Sequence, residues 1–411
     1  MKELATFGLL ILILFTPASA QWQRLISSDK VNLTGVAFIN ADSGFAAGGS
    51  VILRTSNGGN EWDLTELTNG VRGICYPSPN IAYAVGQAVY KSTDGGQRWD
   101  SIYTQQRSPG LESRAVFFTD RERGVVAGIS PTEYTIDGGK SWNFGESEVG
   151  VSLCQAISFV TRDTGFMGGF VSGATGYAGT AFRTVDGGAN WQSITSRGDK
   201  PVRIGIVRSI YFRTPSLGWI AGQSTGNDPD AIRLQVTRDG GETWDTINTR
   251  FANTVNKIIF ANAMVGFIAD DNGFIYVTSD GGENWTDDGA PSRGNSINDM
   301  FIVDGATVYA VGDEGTILKR TITTSVDENI PDRVLTVFPN PSSGTFRILV
   351  GRDVPVTLHH LVVNDELGIE ILRISTSSSQ IALDLSGFAP GVYYVRIQTG
   401  TNTRMAKLAL H

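Results

Sequence analysis

One eight-residue string constrains this chain more than anything else in it. The form is Ser/Thr-x-Asp-Gly-Gly-x-x-Trp, and it ends at Trp62, Trp99, Trp142, Trp191, Trp244 and Trp285. The third position is Asn57 in the first copy and Asp94, Asp137, Asp186, Asp239 and Asp280 in the rest. A tight connection between antiparallel strands needs residues at φ > 0, which glycine adopts without steric cost. Asp or Asn closes such a turn by accepting from nearby backbone N–H groups, and the hydroxyl adds a local bond. The Trp opens the outer strand and has a large apolar face to bury. Each copy therefore predicts a hairpin with a fixed turn and a hydrophobic anchor. Six carboxylates in six equivalent turns are turn formers rather than six active sites.

A second signal precedes each turn. Gly44-Phe45-Ala46-Ala47-Gly48 is the first instance, and Tyr309-Ala310-Val311-Gly312 the seventh. Seven residues before each aromatic or apolar marker (45, 83, 125, 166, 219, 267 and 309) stands another: Phe38, Tyr76, Phe118, Phe159, Phe212, Phe260 and Ile302. One repeat is thus four strands, and the acids of successive turns are 37, 43, 49, 53 and 41 residues apart. Four-stranded units of this length are β-propeller blades. The span 21–321 holds seven of them, 43 residues each on average. The seventh lacks the turn and the Trp, while Gln21-Trp22-Gln23-Arg24-Leu25 reads as an outer strand standing alone. The N-terminal strand is expected to complete the last blade and seal the ring.

Residues 1–20 read as an export leader, with a short apolar run and the cleavage signature Ala18-Ser19-Ala20. Residues 322–334 read as a polar linker. Residues 335–411 carry about seven short strand-like runs, the pattern of a small β-sandwich. The fold class is all-β throughout, a seven-bladed propeller followed by that sandwich. The net charge of −8 speaks against a nucleic-acid partner. After the leader no segment is long and apolar enough for a membrane helix. Cys75 and Cys154 fall in non-adjacent blades, too far apart to pair, so two free thiols are expected. No cofactor or metal is expected: the three His, at 359, 360 and 411, all lie outside the propeller.

The Asp-Gly-Gly-x-x-Trp repeat over 21–321 resembles the Asp-box (BNR-type) propellers, and most of all the seven-bladed photosystem II assembly and stability factor type. The resemblance implies fold more than function, because sialidases, xyloglucan hydrolases and non-enzymatic scaffolds all carry the repeat. The last 77 residues resemble the type A sorting domain of the type IX secretion system. Phe338-Pro339-Asn340-Pro341, Gly344-Thr345-Phe346, Leu383-Asp384-Leu385-Ser386 and Pro390-Gly391-Val392-Tyr393-Tyr394-Val395-Arg396 carry that likeness. It implies a Gram-negative host of the Bacteroidetes–Chlorobi kind. It also implies export across the outer membrane, removal of the tail, and a cargo either released or fixed at the surface.

Propeller ligands tend to bind over the central channel. The residue four before each first-strand marker is polar in all seven repeats: Thr34, Arg72, Arg114, Gln155, Arg208, Asn256 and Asn298. Seven-fold geometry predicts one ring of them at the channel mouth. Three arginine forks suit a carboxylate or phosphate. The ring is either a funnel for an anionic group, acidic peptide or glycan, or a set of strand caps bonded to neighbouring loops. Asp270-Asp271 and Asp287-Asp288 read as solvated loop acids. A secreted or surface-attached, non-enzymatic binding or scaffold propeller follows, with the type IX machinery as the tail's partner. The alternative is a surface glycoside hydrolase, sialidase-like or xyloglucanase-like. Against it, the sialidase likeness would require six blades and a Phe-Arg-Ile-Pro string, and the nearest string, Phe346-Arg347-Ile348-Leu349, lies in the tail.

Overall fold

The computed structural model describes residues 21–25, 30–104, 112–129, 132–147, 152–173, 176–195, 200–224, 233–249, 251–303 and 305–322. In the C-terminal part it describes 336–338, 342, 344–349, 359–365, 368–376, 380–399 and 402–410. The leader and nearly all of the linker lie outside these residues. Among them the regular structure is entirely β.

The chain forms seven four-stranded antiparallel blades. Blades three, five and six are separate sheets that start at Ser113–Phe118, Ile206–Phe212 and Val255–Phe260. Blade four starts at Leu153–Phe159 and gains a fifth, parallel strand, Glu146–Ser147, from the end of blade three. Blades one and two are continuous. Gly44–Thr55 pairs with Gly35–Phe38 through its first half and with Asp63–Glu66 through its second, and Asp63–Ser78 runs on into blade two. Blade seven takes its outer strand from the chain start, with Gln23, Arg24 and Leu25 opposite Lys319, Leu318 and Ile317. The predicted closure is therefore the observed one. One detail differs: the outer strand begins just after the Trp in five repeats, and contains it only in blade four.

The repeat residues hold blade against blade. In the box of blade two, the Ser92 hydroxyl accepts from Gly96 N at 2.8 Å, and Asp94 Oδ1 accepts from Gln97 N and Arg98 N at 2.9 and 3.0 Å. Both glycines have positive φ in all six boxes. The second glycine has a further duty, because a Cβ on Gly96 would fall 2.2 Å from Phe45 of blade one. Equivalent contacts put Gly139 on Ile102 and Gly188 on Val125. The box is thus a socket for the preceding blade as well as a turn.

Aromatic residues complete the joints. Box tryptophans meet first-strand phenylalanines edge to face, as in Trp142–Phe118 (6.4 Å, 88°) and Trp244–Phe212 (6.1 Å, 88°). Those phenylalanines in turn stack on the second-strand aromatic of the preceding blade: Phe118 on Tyr83 at 3.7 Å, and Phe38 on Tyr309 at 3.8 Å across the seam. Offset and edge-on pairs add roughly 0.5–1.5 kcal/mol each beyond their buried area.

The C-terminal part is a β-sandwich of a three-stranded and a four-stranded sheet. Alternate residues of both, among them Phe346, Ile348, Leu361, Leu383, Val395 and Leu408, form one core.

Candidate functional site

A β-bulge supplies every ring residue whose strand pairing is resolved. In blade five Val207 pairs with Gly222 and Ser209 with Ala221, which leaves Arg208 as the extra residue. The same break falls at Arg72, Arg114, Gln155, Asn256 and Asn298. In blade one, Thr34 N donates to Ala47 O while Gly35 pairs with Ala47, the same two-against-one arrangement. A bulge leaves one residue unpaired and re-aims its side chain. Here seven of them converge: Thr34, Arg72, Arg114, Gln155, Arg208, Asn256 and Asn298 line a single cavity of about 230 Å³ at one end of the channel. Repeat alignment located the ring, but the bulge that builds it is invisible in sequence, because it is a mismatch in pairing and not a residue type.

The ring is chemically lopsided. Asn298 Nδ2 donates to Leu33 O and Asp313 Oδ1, both at 2.9 Å. Asn256 Nδ2 donates to Ser296 Oγ at 2.9 Å and Ile297 O at 3.0 Å. These two amides tie blades six, seven and one together, which is the strand-cap role. The cations stand in blades two, three and five, and Arg208 adjoins the amide of Asn256. Arg72 pairs with Glu112 at 3.1 Å, Arg114 donates to Gln155 Oε1 at 3.3 Å, and Arg208 donates to Asn256 Oδ1 at 3.2 Å. Burial lowers the pKa of Arg114, and the neighbouring Arg72 and Arg208 lower it further, against a partial offset from Glu112. Burial likewise lowers that of Arg208. Three guanidiniums share one mouth, where Glu112 pairs with Arg72 and partly offsets Arg114, and Asp271 acts on Arg208 as a counter-charge.

Below the mouth the channel opens to about 550 Å³. Its wall carries a Lys257–Asp299 ion pair at 2.7 Å, and Asp299 Oδ2 also accepts from Val36 N at 3.0 Å. The deeper wall is aromatic, with Phe117, Tyr211 and Phe301 half-buried along it.

The box acids stay structural. Asp137 is pulled down to about 2 by hydrogen bonds from the Ser141 side chain and backbone. The paired acids divide: Asp271 and Asp287 are exposed, in line with solvated loops, whereas Asp270 is fully buried and the Asp288 side chain largely so. Asp270 accepts from Asn272 N, Phe274 N and Asn253 Nδ2, which fixes its own turn. Asp288 is bonded to Trp22 and Arg320. Both cysteines are unpaired thiols, and burial pushes Cys154 up to about 12 and Cys75 up as well, which makes them poor nucleophiles. Among the described residues no cluster of three His, Cys, Asp or Glu is placed to hold a metal ion. A larger cavity of about 770 Å³ lies between the box face of blades five and six and the C-terminal sandwich. Its charges are mixed, with Arg396 on Glu283 at 3.5 Å, so it has no single sign to offer a ligand.

Fold and site together define a seven-bladed Asp-box propeller with a cationic mouth, joined to a sorting-type sandwich. Residues 140–298 match the family model of the photosynthesis system II assembly factor YCF48, and 336–411 match that of the secretion system C-terminal sorting domain. The chain carries these two domains. It is 23% identical over 321 residues to the photosystem II assembly lipoprotein Ycf48 of Synechococcus sp. (strain CC9902), which covers 74% of this chain and 89% of that one. Among solved structures, YCF48 bound to D1 peptide aligns with a TM-score of 0.59 at 15% identity, over 74% of this chain and all of that one. PorZ, a surface component of the type IX secretion system of Porphyromonas gingivalis, aligns with a TM-score of 0.53 at 13% identity, over 92% of this chain and 59% of that one. At these identities the structural matches speak to fold alone. The sorting domain marks the chain for export.

Proposed function

We propose that this protein is an exported, non-enzymatic propeller that holds an anionic segment of a partner at the ring mouth. The observation that carries the reading is the crowding of Arg72, Arg114 and Arg208 at one mouth. Glu112 and Asp271 offset part of that charge, and Arg114, lowered by burial and by both other guanidiniums, has the most to gain from an incoming anion. A carboxylate presents two acceptors to such forks. The protein as a whole is acidic, with a net charge of −8, so three arginines at one mouth run against the overall sign. The D1 peptide is the ligand of YCF48 in its complex, and a peptide held by a propeller of this fold supports a peptide class of ligand here. Export through the type IX route, removal of the tail and residence at the outer surface of a Gram-negative cell complete the reading.

The test is capture from envelope extract by the mature protein and by an Arg72→Ala, Arg114→Ala, Arg208→Ala triple variant. The variant should lose the captured partner while keeping its unfolding midpoint. Undiminished capture removes the ring from the mechanism. Turnover of aryl-glycosides by the wild type would favour the hydrolase alternative instead.

A further inference from the structure

Blade four departs from its neighbours on the ring side. Its second and third strands, Gly165–Gly173 and Gly176–Thr184, have nine residues each, against five or six in the second strands of blades two, three, five, six and seven. The first strand starts at Leu153, opposite Phe170, so the hairpin beyond Phe170 rises past the ring residue Gln155. Three further pairs follow, Val171↔Ala178, Ser172↔Tyr177 and Gly173↔Gly176. At ~3.3 Å per residue they lift the tip roughly 10 Å above the mouth.

That tip carries two aromatic rings. Phe170 and Tyr177 sit 4.8 Å apart at 73°, and Tyr177 is 55% exposed. Their side of the hairpin follows from strand alternation. Gly168 shares a face with Phe170, and a Cβ there would fall 2.5 Å from Val207 of blade five. Gly179, paired with Phe170, lies against Ile204 and Val207. The aromatic pair therefore stands over the start of blade five, where Val207 precedes Arg208.

We propose that this hairpin is the specificity wall of the ring site, and that the ligand is an acidic peptide with an apolar side chain beside its carboxylate. The inference rests on the ring binding an anion, as proposed above. The carboxylate reaches Arg208 and Arg114, and the apolar side chain lodges against Phe170 and Tyr177. In a T-shaped pair the edge of one ring occupies a face of the other. The pair thus presents a notch to an aliphatic or aromatic side chain and not an open plane on which a sugar could stack. The cations next to it set the sign of the neighbouring group.

Fluorescence anisotropy with two labelled peptides tests this on the full mature chain. One is a short Glu-rich peptide with a single Leu, and the other has Ser in place of the Leu. The wild type should favour the Leu peptide by about tenfold. Tyr177→Ser should shrink that preference to less than about twofold and leave the Ser peptide unaffected, and Tyr177→Leu should restore it. Thermal unfolding of the variants should match the wild type, since the tip is exposed. A preference that survives in Tyr177→Ser overturns the wall. So does competition by a polyuronate oligomer that depends on Tyr177, which would make the wall a sugar platform. Arg114→Ala should weaken both peptides alike. If it weakens neither, the ring reading falls and this one with it; if it weakens both while Tyr177→Ser changes nothing, the wall alone falls.

Discussion

The indole Nε1 of Trp22 donates to Asp288 Oδ2 at 2.7 Å, a bond between residues 266 positions apart that locks the N-terminal strand onto blade six. The same carboxylate pairs with Arg320 at 2.9 Å, and Arg320 lies over the ring of Phe267, 5.1 Å from its centroid. Trp22 meets Phe267 edge-on at 6.2 Å. The seam is therefore a buried polar knot inside an apolar shell, beside a three-residue strand pairing. Its parts should contribute together.

Trp22→Ala should cost ~3–5 kcal/mol, the range for emptying a buried large side chain. Trp22→Phe keeps most of the shell but removes one of the two partners of Asp288, and should cost about 1–3 kcal/mol. Urea unfolding of the two variants measures both. Equal stability of Trp22→Ala and wild type would mean that the ring does not depend on its seam.

The two glycines of one box should respond differently to alanine. Gly95 has φ 74° and its nearest contact to an added Cβ is Pro79 O at 3.3 Å, so the cost is mostly the left-handed backbone, about 1–2 kcal/mol. Gly96 has φ 86°, and its Cβ would strike Phe45 at 2.2 Å. Overpacking adds about 1–3 kcal/mol to the backbone strain there. Gly96→Ala should be the worse of the two by equilibrium unfolding.

Acid should loosen the boxes in a defined window. Asp137 has a folded value of about 2 against its ordinary 3.8, because the Ser141 side chain and backbone bond to the ionised form. A depressed pKa means that the carboxylate's contribution is complete above about 3.8, fades as the pH falls toward about 2, and is gone below. Asp137→Asn should flatten that part of the stability–pH curve. The first repeat already does so naturally, since Asn57 Oδ1 accepts from Glu61 N at 3.0 Å without a charge. Unfolding midpoints taken from pH 7 to pH 2 check the point.

Ring residues should differ in what their removal costs. Asn298→Ala removes donors to Leu33 O and Asp313 and should cost about 1–3 kcal/mol. Arg114→Ala relieves a cation crowded by two others and should leave stability within about 0.5 kcal/mol of wild type. Parallel denaturation curves of the two variants decide it.

Much of this was legible in the sequence because repetition supplies its own alignment. The marker pairs seven residues apart, such as Phe38 and Phe45, announced two strands of one blade. Which ring each would meet was not legible: Phe38 stacks on Tyr309, a contact that exists only once the circle closes. Thr34, Arg72, Arg114, Gln155, Arg208, Asn256 and Asn298 were found by offset alone, yet what each one bonds depends on neighbours such as Leu33 O and Glu112. Burial of Asp270 and Asp288 escaped notice because adjacent acids beside a turn look solvated in one dimension. The long hairpin of blade four gave no residue signature beyond a wider spacing between boxes.

The most direct test of the central claim is a structure of the mature protein with a saturating acidic peptide. The account predicts carboxylate density at the ring mouth, within hydrogen-bond reach of Arg114 and Arg208, with the chain running toward Phe170 and Tyr177. Peptide seated instead in the cavity between blades five and six and the sandwich, with the mouth empty, would contradict it.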